Sequence, residues 1–220
     1  MNEGSPGPGK LQREAFFPTL IYYLDLHGSA KLNAPLVSAI RRLQAEDTNG
    51  MHRSNVRQAG AWHSQDDLIR RPEFEDLAKA VLASMQQVFD DLEYDGDMEP
   101  VLDNMWANVS PRHAFNRMHT HPGVIWSGVY YVQSPSGSGR IFFADPRAQA
   151  GVLRPYLSEA GKNRPENWSE VFYEPIEGRM ILFPAWLLHE VEPNLSDVSG
   201  DGGHRISISF NLRQRRRSAD

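Results

Sequence analysis

The run R-I-S-I-S-F-N-L-R at 205–213 decides how this chain folds. Successive side chains of a β-strand point to opposite faces, so Ile206, Ile208, Phe210 and Leu212 share one face and Arg205, Ser207, Ser209 and Asn211 the other. Apolar residues at period two describe a strand with one face on a core. The polar face has two readings. An edge strand turns it to water, whereas a strand in a barrel turns it to a polar interior, which needs water or a polar ligand as occupant.

Upstream, strand-like runs follow one another at 101–109, 114–119, 124–132, 140–144, 171–174, 179–183 and 187–192. Turn signals separate them: Ser110-Pro111, Pro122-Gly123, S-P-S-G-S-G at 134–139, Glu177-Gly178 and D-G-G at 201–203. Before Gly96 the period changes. In residues 72–92, Phe74, Leu77, Ala78, Val81, Leu82, Met85, Val88, Phe89 and Leu92 recur at three and four, which predicts a helix. A second helical stripe covers 32–43, with Asn33 as N-cap and Pro35 in the first turn. A strand is expected at 16–26 and a short turn at 64–69. Helices first and about eight antiparallel strands after them predict an α+β, mainly β fold. Its core is a double-stranded β-helix (jelly-roll, cupin-like) with the N-terminal helices packed on one sheet.

Residues 1–10 are Gly/Pro-rich and read as a disordered tail, and 11–220 as a single domain. Within it, 11–96 supply the N-terminal strand and helices and 97–213 the β-helix core. The polar, Pro-punctuated stretch 146–169 reads as a lid or an insertion over the barrel mouth. A length of 220 residues, 40% of them hydrophobic, suffices for one core. The net charge of −5 provides no general basic field, so nucleic acid is a disfavoured partner, and R-Q-R-R-R at 213–217 reads as a solvated terminus. With no cysteine there is no disulfide, thiolate nucleophile or Cys-ligated metal. No apolar run approaches the roughly 18 residues of a membrane span, and no signal-type apolar region opens the chain, so no membrane partner and a cytoplasmic location are expected.

The chemistry concentrates in H-T-H-P at 119–122 and L-L-H-E-V at 187–191. His119 and His121, at i and i+2 of a strand, point the same way, and His189 arrives from a distant strand to complete one side of an ion. Imidazole suits iron, zinc, copper and nickel, and three protein ligands leave positions open for water or substrate. His27, His52 and His63 read as surface or packing residues. Trp106, Trp126, Trp168 and Trp186 read as core or lid aromatics, with Trp106 and Trp126 also candidates for a cleft. Asn104, Asn108 and Asn211 are candidate pocket amides, and Asp145 with Arg147 a turn locked by an ion pair.

Four segments in this order carry a resemblance: H-T-H-P-G-V-I-W-S-G-V-Y-Y-V (119–132), F-A-D-P-R (143–147), P-I-E-G-R-M-I-L-F-P-A-W-L-L-H-E-V-E-P-N (175–194) and R-I-S-I-S-F-N (205–211). They resemble the iron(II)- and 2-oxoglutarate-dependent oxygenases of the prolyl-hydroxylase-like branch, and within them a bacterial and phage group of 2OG-Fe(II) oxygenases without assigned substrates. The strong part covers about 104–212, half the chain; F-P-T at 17–19 and W-H-S at 62–64 fit more loosely. Each motif alone is weak, whereas four in the right order are fairly specific.

The resemblance implies that His119 and His189 bind iron, and that His121 stands where most of the superfamily has Asp or Glu. It implies that Arg205 pairs with the far carboxylate of 2-oxoglutarate, that Ser207 is its hydroxyl partner, and that the Tyr131 phenol reaches the same carboxylate. The implied activity is hydroxylation of an unidentified substrate with release of succinate and carbon dioxide, with ascorbate as a possible reductant. Three readings of His121 stand open: a working His119, His121, His189 site; water or a carboxylate such as Asp145 in its place; or a site that binds metal without turnover. Two other functions compete. One is a three-histidine cupin-type dioxygenase without 2-oxoglutarate, against which Arg205, Ser207 and Tyr131 argue; the other is a non-catalytic metal-binding jelly-roll module. The prime substrate, a small molecule or a peptide, is not legible. A homodimer is compatible with such folds, which often pair through an N-terminal strand or helix.

Overall fold

The strand that carries the 205–213 run spans Arg205–Arg216 and lies inside a six-stranded sheet, flanked on both sides. The structure, a computed structural model, describes residues 10–53 and 59–217, so the tail expected at 1–10 lies outside the described residues except for Lys10. In chain order the strands are β1 (Tyr22–Asp25), β2 (Trp62–His63), β3 (Met98–Ser110), β4 (Asn116–His119), β5 (Trp126–Gln133), β6 (Ile141–Ala144), β7 (Glu170–Tyr173), β8 (Arg179–Pro184), β9 (His189–Val191) and β10 (Arg205–Arg216). The helices are α1 (Ser29–Glu46), α2 (Gly50–Arg53), α3 (Glu75–Asp91) and α4 (Glu159–Lys162).

Two antiparallel sheets result, in the orders β1-β8-β5-β10-β3-β2 and β4-β9-β6-β7. The large sheet separates two buried clusters. On its outer face Ile206, Ile208, Phe210 and Leu212 join Leu36 and Ile40 of α1 and Leu77, Val81 and Met85 of α3. Burying such a side chain stabilises the fold by roughly 1.5–3 kcal/mol. On the inner face Val129, Tyr131 and Ile181 meet Phe143 and Ile141 from the small sheet. The polar face of β10 therefore points between the sheets, which decides between its two readings in favour of a barrel interior. Gly128 on β5 makes this packing possible: a Cβ there would stand 2.4 Å from the Phe210 ring and 2.7 Å from the Ile181 carbonyl.

Several boundaries differ from expectation. The helix expected at 32–43 starts earlier, at Ser29, after Gly28 at φ 73°. Asn33 is therefore not an N-cap: it is buried inside α1, donating to the Val132 carbonyl at 3.0 Å and accepting from the Tyr130 hydroxyl at 2.6 Å. The N-terminal strand shortens to β1, since Phe17 takes φ 60° just before Pro18 and residues 10–21 form no regular structure. The basic run at 213–217 is solvent-exposed, as expected, but not irregular. It prolongs β10 along β3, where Arg213 pairs with Asp103 at 2.9 Å and Arg215 with Glu99 at 2.6 Å. Stretch 146–169 holds α4 between β6 and β7, and none of its residues lines the cavity between the sheets. Among the described residues no helix is long and apolar enough to cross a membrane.

Candidate active site

His119 closes β4, His189 opens β9, and the two residues are direct partners across that antiparallel pair. His121 lies two residues beyond the end of β4, where its backbone N–H donates to the Ala185 carbonyl at 2.9 Å. Strand parity thus gave the right side of the molecule for an incomplete reason, because the register already shifts between Asn116 and His119. Ligand atoms of all three imidazoles lie within 4.8 Å of one another, close enough to hold one metal ion. His121 Nε2 and His189 Nε2 are 3.3 Å apart.

Backbone carbonyls set two of the tautomers. His119 Nδ1 meets the Arg117 carbonyl at 2.6 Å, and His189 Nδ1 meets the Leu187 carbonyl at 2.9 Å. A carbonyl oxygen only accepts, so each Nδ1 carries the proton and each Nε2 presents a lone pair to the cluster. Burial, and secondarily the neighbouring His119, pulls the His121 pKa down to about 4. The same causes in the same order pull His189 down to about 3, against a smaller opposing effect of the Leu187 hydrogen bond. Both stay neutral at pH 7, the state a metal ligand needs. Phe143 and Phe183 pack on His189 at ring distances of 5.9 and 4.7 Å and keep water from its back.

Arg205 is the second anchor. It is only 2% exposed, and its Nη1 donates to the carbonyls of Ser138, Gly139 and Glu192. Gly139, at φ 91°, allows the loop this approach, since a Cβ would stand 2.9 Å from Nη1. The nearby carboxylate does not neutralise it: Glu192 makes a two-point pair with Arg140, with both contacts at 2.9 Å. Arg205 is thus a buried guanidinium with no carboxylate on it among the described residues. A guanidinium has five N–H groups, so donors remain after Nη1 is anchored.

Cross-strand register sets these groups in rows. Ser207 is level with Tyr131 on β5 and Asn108 on β3, and Asn108 in turn with His63 on β2. One row further along, Ser209 stands between Val129 and Trp106. The three histidines, Arg205, Ser207, Tyr131, Asn108, Trp106 and His63 all line one cavity of about 200 Å³. Among the described residues neither the Tyr131 hydroxyl nor Ser207 Oγ has a hydrogen-bond partner, although Tyr131 is 1% exposed and Ser207 7%. Burial pushes the Tyr131 phenol up to about 12, partly opposed by Arg205, so it remains a donor.

Other expectations divide. Asp145 is bound to Arg147 at 2.9 Å and is not a member of the histidine cluster, so it does not replace His121. Asn104 and Asn211 bond each other at 2.9 Å and do not line the cavity; Asn108 does. Trp126 is core, bonded to the Tyr94 hydroxyl at 3.2 Å, while Trp168 and Trp186 are exposed. His63 was read as a surface or packing residue, yet it lines the cavity, stacked on Trp106 at 5.5 Å with a 13° interplanar angle. Its signal in the sequence is the loosely fitting W-H-S at 62–64, and the pairing of β2 with β3 is what brings it to the cavity.

The two sheets thus bring three clustered imidazoles and a buried Arg onto one cavity. Residues 104–211 match the family model described as "Putative 2OG-Fe(II) oxygenase". The chain belongs to this superfamily of iron(II)- and 2-oxoglutarate-dependent oxygenases. Solved structures share its fold. A prolyl-4-hydroxylase from Pseudomonas putida is 18% identical over 91% of this chain and 94% of its own, with TM-score 0.59. HygX from Streptomyces hygroscopicus, solved with nickel and 2-oxoglutarate, is 15% identical over 89% and 82%, with TM-score 0.55. The viral collagen prolyl hydroxylase of Paramecium bursaria Chlorella virus-1, in its 2-oxoglutarate complex, is 13% identical over 88% and 94%, with TM-score 0.53. No curated protein matches the chain significantly.

Proposed function

We propose that the chain hydroxylates a substrate with iron(II), dioxygen and 2-oxoglutarate, releasing succinate and carbon dioxide. The observation that carries this reading is Arg205, a buried cation without a carboxylate partner among the described residues, opening on the same cavity as three clustered imidazoles. A buried charge needs a partner, and a dicarboxylate brings one.

His119, His121 and His189 would hold the metal through nitrogen donors. Without a carboxylate among them, the metal keeps one more unit of positive charge than in a two-histidine, one-carboxylate site, and a dianionic co-substrate offsets it. Bound iron(II) supplies dioxygen activation coupled to loss of carbon dioxide from 2-oxoglutarate. The protein's own part is placement. The remaining Arg205 donors, with Ser207 and Tyr131 in the adjacent row, receive the far carboxylate and fix its distance from the histidines. Val129, Ile141, Phe183 and Val191 provide the apolar walls of the cavity, which strengthen these contacts by excluding water.

The test is turnover. Protein loaded with iron(II) and ascorbate, given 2-oxoglutarate in air, should form succinate slowly without a prime substrate, and the Arg205→Ala variant should form none above background. Equal succinate from both proteins overturns the reading.

A further inference from the structure

The cavity has a second end that the co-substrate groups do not occupy. There Trp106 stands between two imidazole rings, stacked on His63 at 5.5 Å and tilted against His121 at 5.9 Å. His63 Nδ1 meets the Ser64 carbonyl at 2.6 Å. That oxygen only accepts, so Nδ1 carries the proton and Nε2 of the neutral ring is an acceptor. Among the described residues neither this Nε2 nor the Trp106 indole N–H has a hydrogen-bond partner. Asn108, level with His63, bonds Ser209 Oγ at 3.2 Å and keeps further amide capacity. This end therefore offers an acceptor, a donor and an amide beside flat rings.

Charge is what it lacks. Among the described residues no Asp, Glu or Lys lines the cavity, and Arg205 at the opposite end is the one Arg. A charged substrate group taken out of water here would meet no side-chain counter-ion among the described residues lining this end, which is costly, whereas an uncharged polar group is served by the partners present.

Resting on the oxygenase reading above, we infer that the part of the prime substrate entering beside the metal is an uncharged, flat, amide-like group. His63, Trp106 and Asn108 would recognise it through one acceptor, one donor and one amide. Its charged portions, if any, stay outside the cavity. A site built of fixed hydrogen-bonding groups rejects analogues that leave those groups unpaired far more strongly than a purely apolar pocket does.

Three matched flat probes test this: benzamide, benzoate and benzamidine (a cation at neutral pH), titrated by ligand-observed NMR into protein loaded with zinc and 2-oxoglutarate. 2-Oxoglutarate binding is measured first in the same samples, so a failure of the oxygenase reading appears there, before any probe is added. Benzamide should bind at least about tenfold more tightly than either charged probe. His63→Phe keeps the stacked ring and removes Nε2; it should weaken benzamide severalfold while 2-oxoglutarate still binds. Trp106→Phe, which removes the indole N–H, should weaken benzamide alone. Equal or tighter binding of a charged probe, no binding of benzamide, or an unchanged benzamide affinity in His63→Phe overturns the inference.

Discussion

The two anchors of the cavity are built differently. Arg205, Ser207 and Ser209 project from β10, a 12-residue strand with neighbours on both sides and a core beneath it. The histidines project from β4, of 4 residues, from β9, of 3, and from a position beyond any strand. Arg205 is buried and tied to three carbonyls, whereas His119 and His121 are half-buried at the mouth. A long, centrally placed strand fixes its side chains by register alone. Short strands with a shifted register need further contacts, here the Ala185 carbonyl for His121 and the Arg117 and Leu187 carbonyls for its partners.

The contrast is sharpest on β10 itself, whose outer face should govern stability and whose inner face should govern binding. Phe210→Ala on the outer face should lower unfolding free energy by about 3–5 kcal/mol in a denaturant titration. A change below about 1 kcal/mol would mean that β10 is not anchored to the helices. Arg205→Ala on the inner face should weaken 2-oxoglutarate by roughly 2–5 kcal/mol, measured calorimetrically with metal present. At the histidine end, His121→Ala should cut metal affinity beyond the ~10–100-fold that loss of a mere supporting group costs. Unchanged affinity would remove His121 from the ligand set, while His121→Asp should keep metal bound. The smallest effect expected is that of Ser207→Ala, about 1 kcal/mol or roughly fivefold in 2-oxoglutarate affinity. If it matches Arg205→Ala, the carboxylate lies nearer the serine than the guanidinium.

Legibility in the sequence follows the same division. The alternation of β10 showed both of its faces, because period two over eight residues is a strong signal, and only the position of the strand in the sheet was missing. The pairing of His119 with His189 depends on long-range strand register, which the spacing of the two motifs does not contain. His63 reads in the sequence as a surface or packing residue because β2 is two residues long, too short for any period, and it gains meaning only through its register with Asn108. Asn33 was misplaced for a related reason: its tertiary bonds to Val132 and Tyr130 could not be weighed against a local cap. The ion pairs that carry 213–217 along β3 likewise join residues about a hundred positions apart.

The most direct test of the whole site is calorimetric titration of 2-oxoglutarate into the protein with and without zinc, in wild type and in Arg205→Ala. Binding that requires both the metal and Arg205 is the expected result, since the histidine cluster and the guanidinium would then hold the two ends of one ligand. Binding that is equally strong without metal, or that survives loss of Arg205, would contradict it.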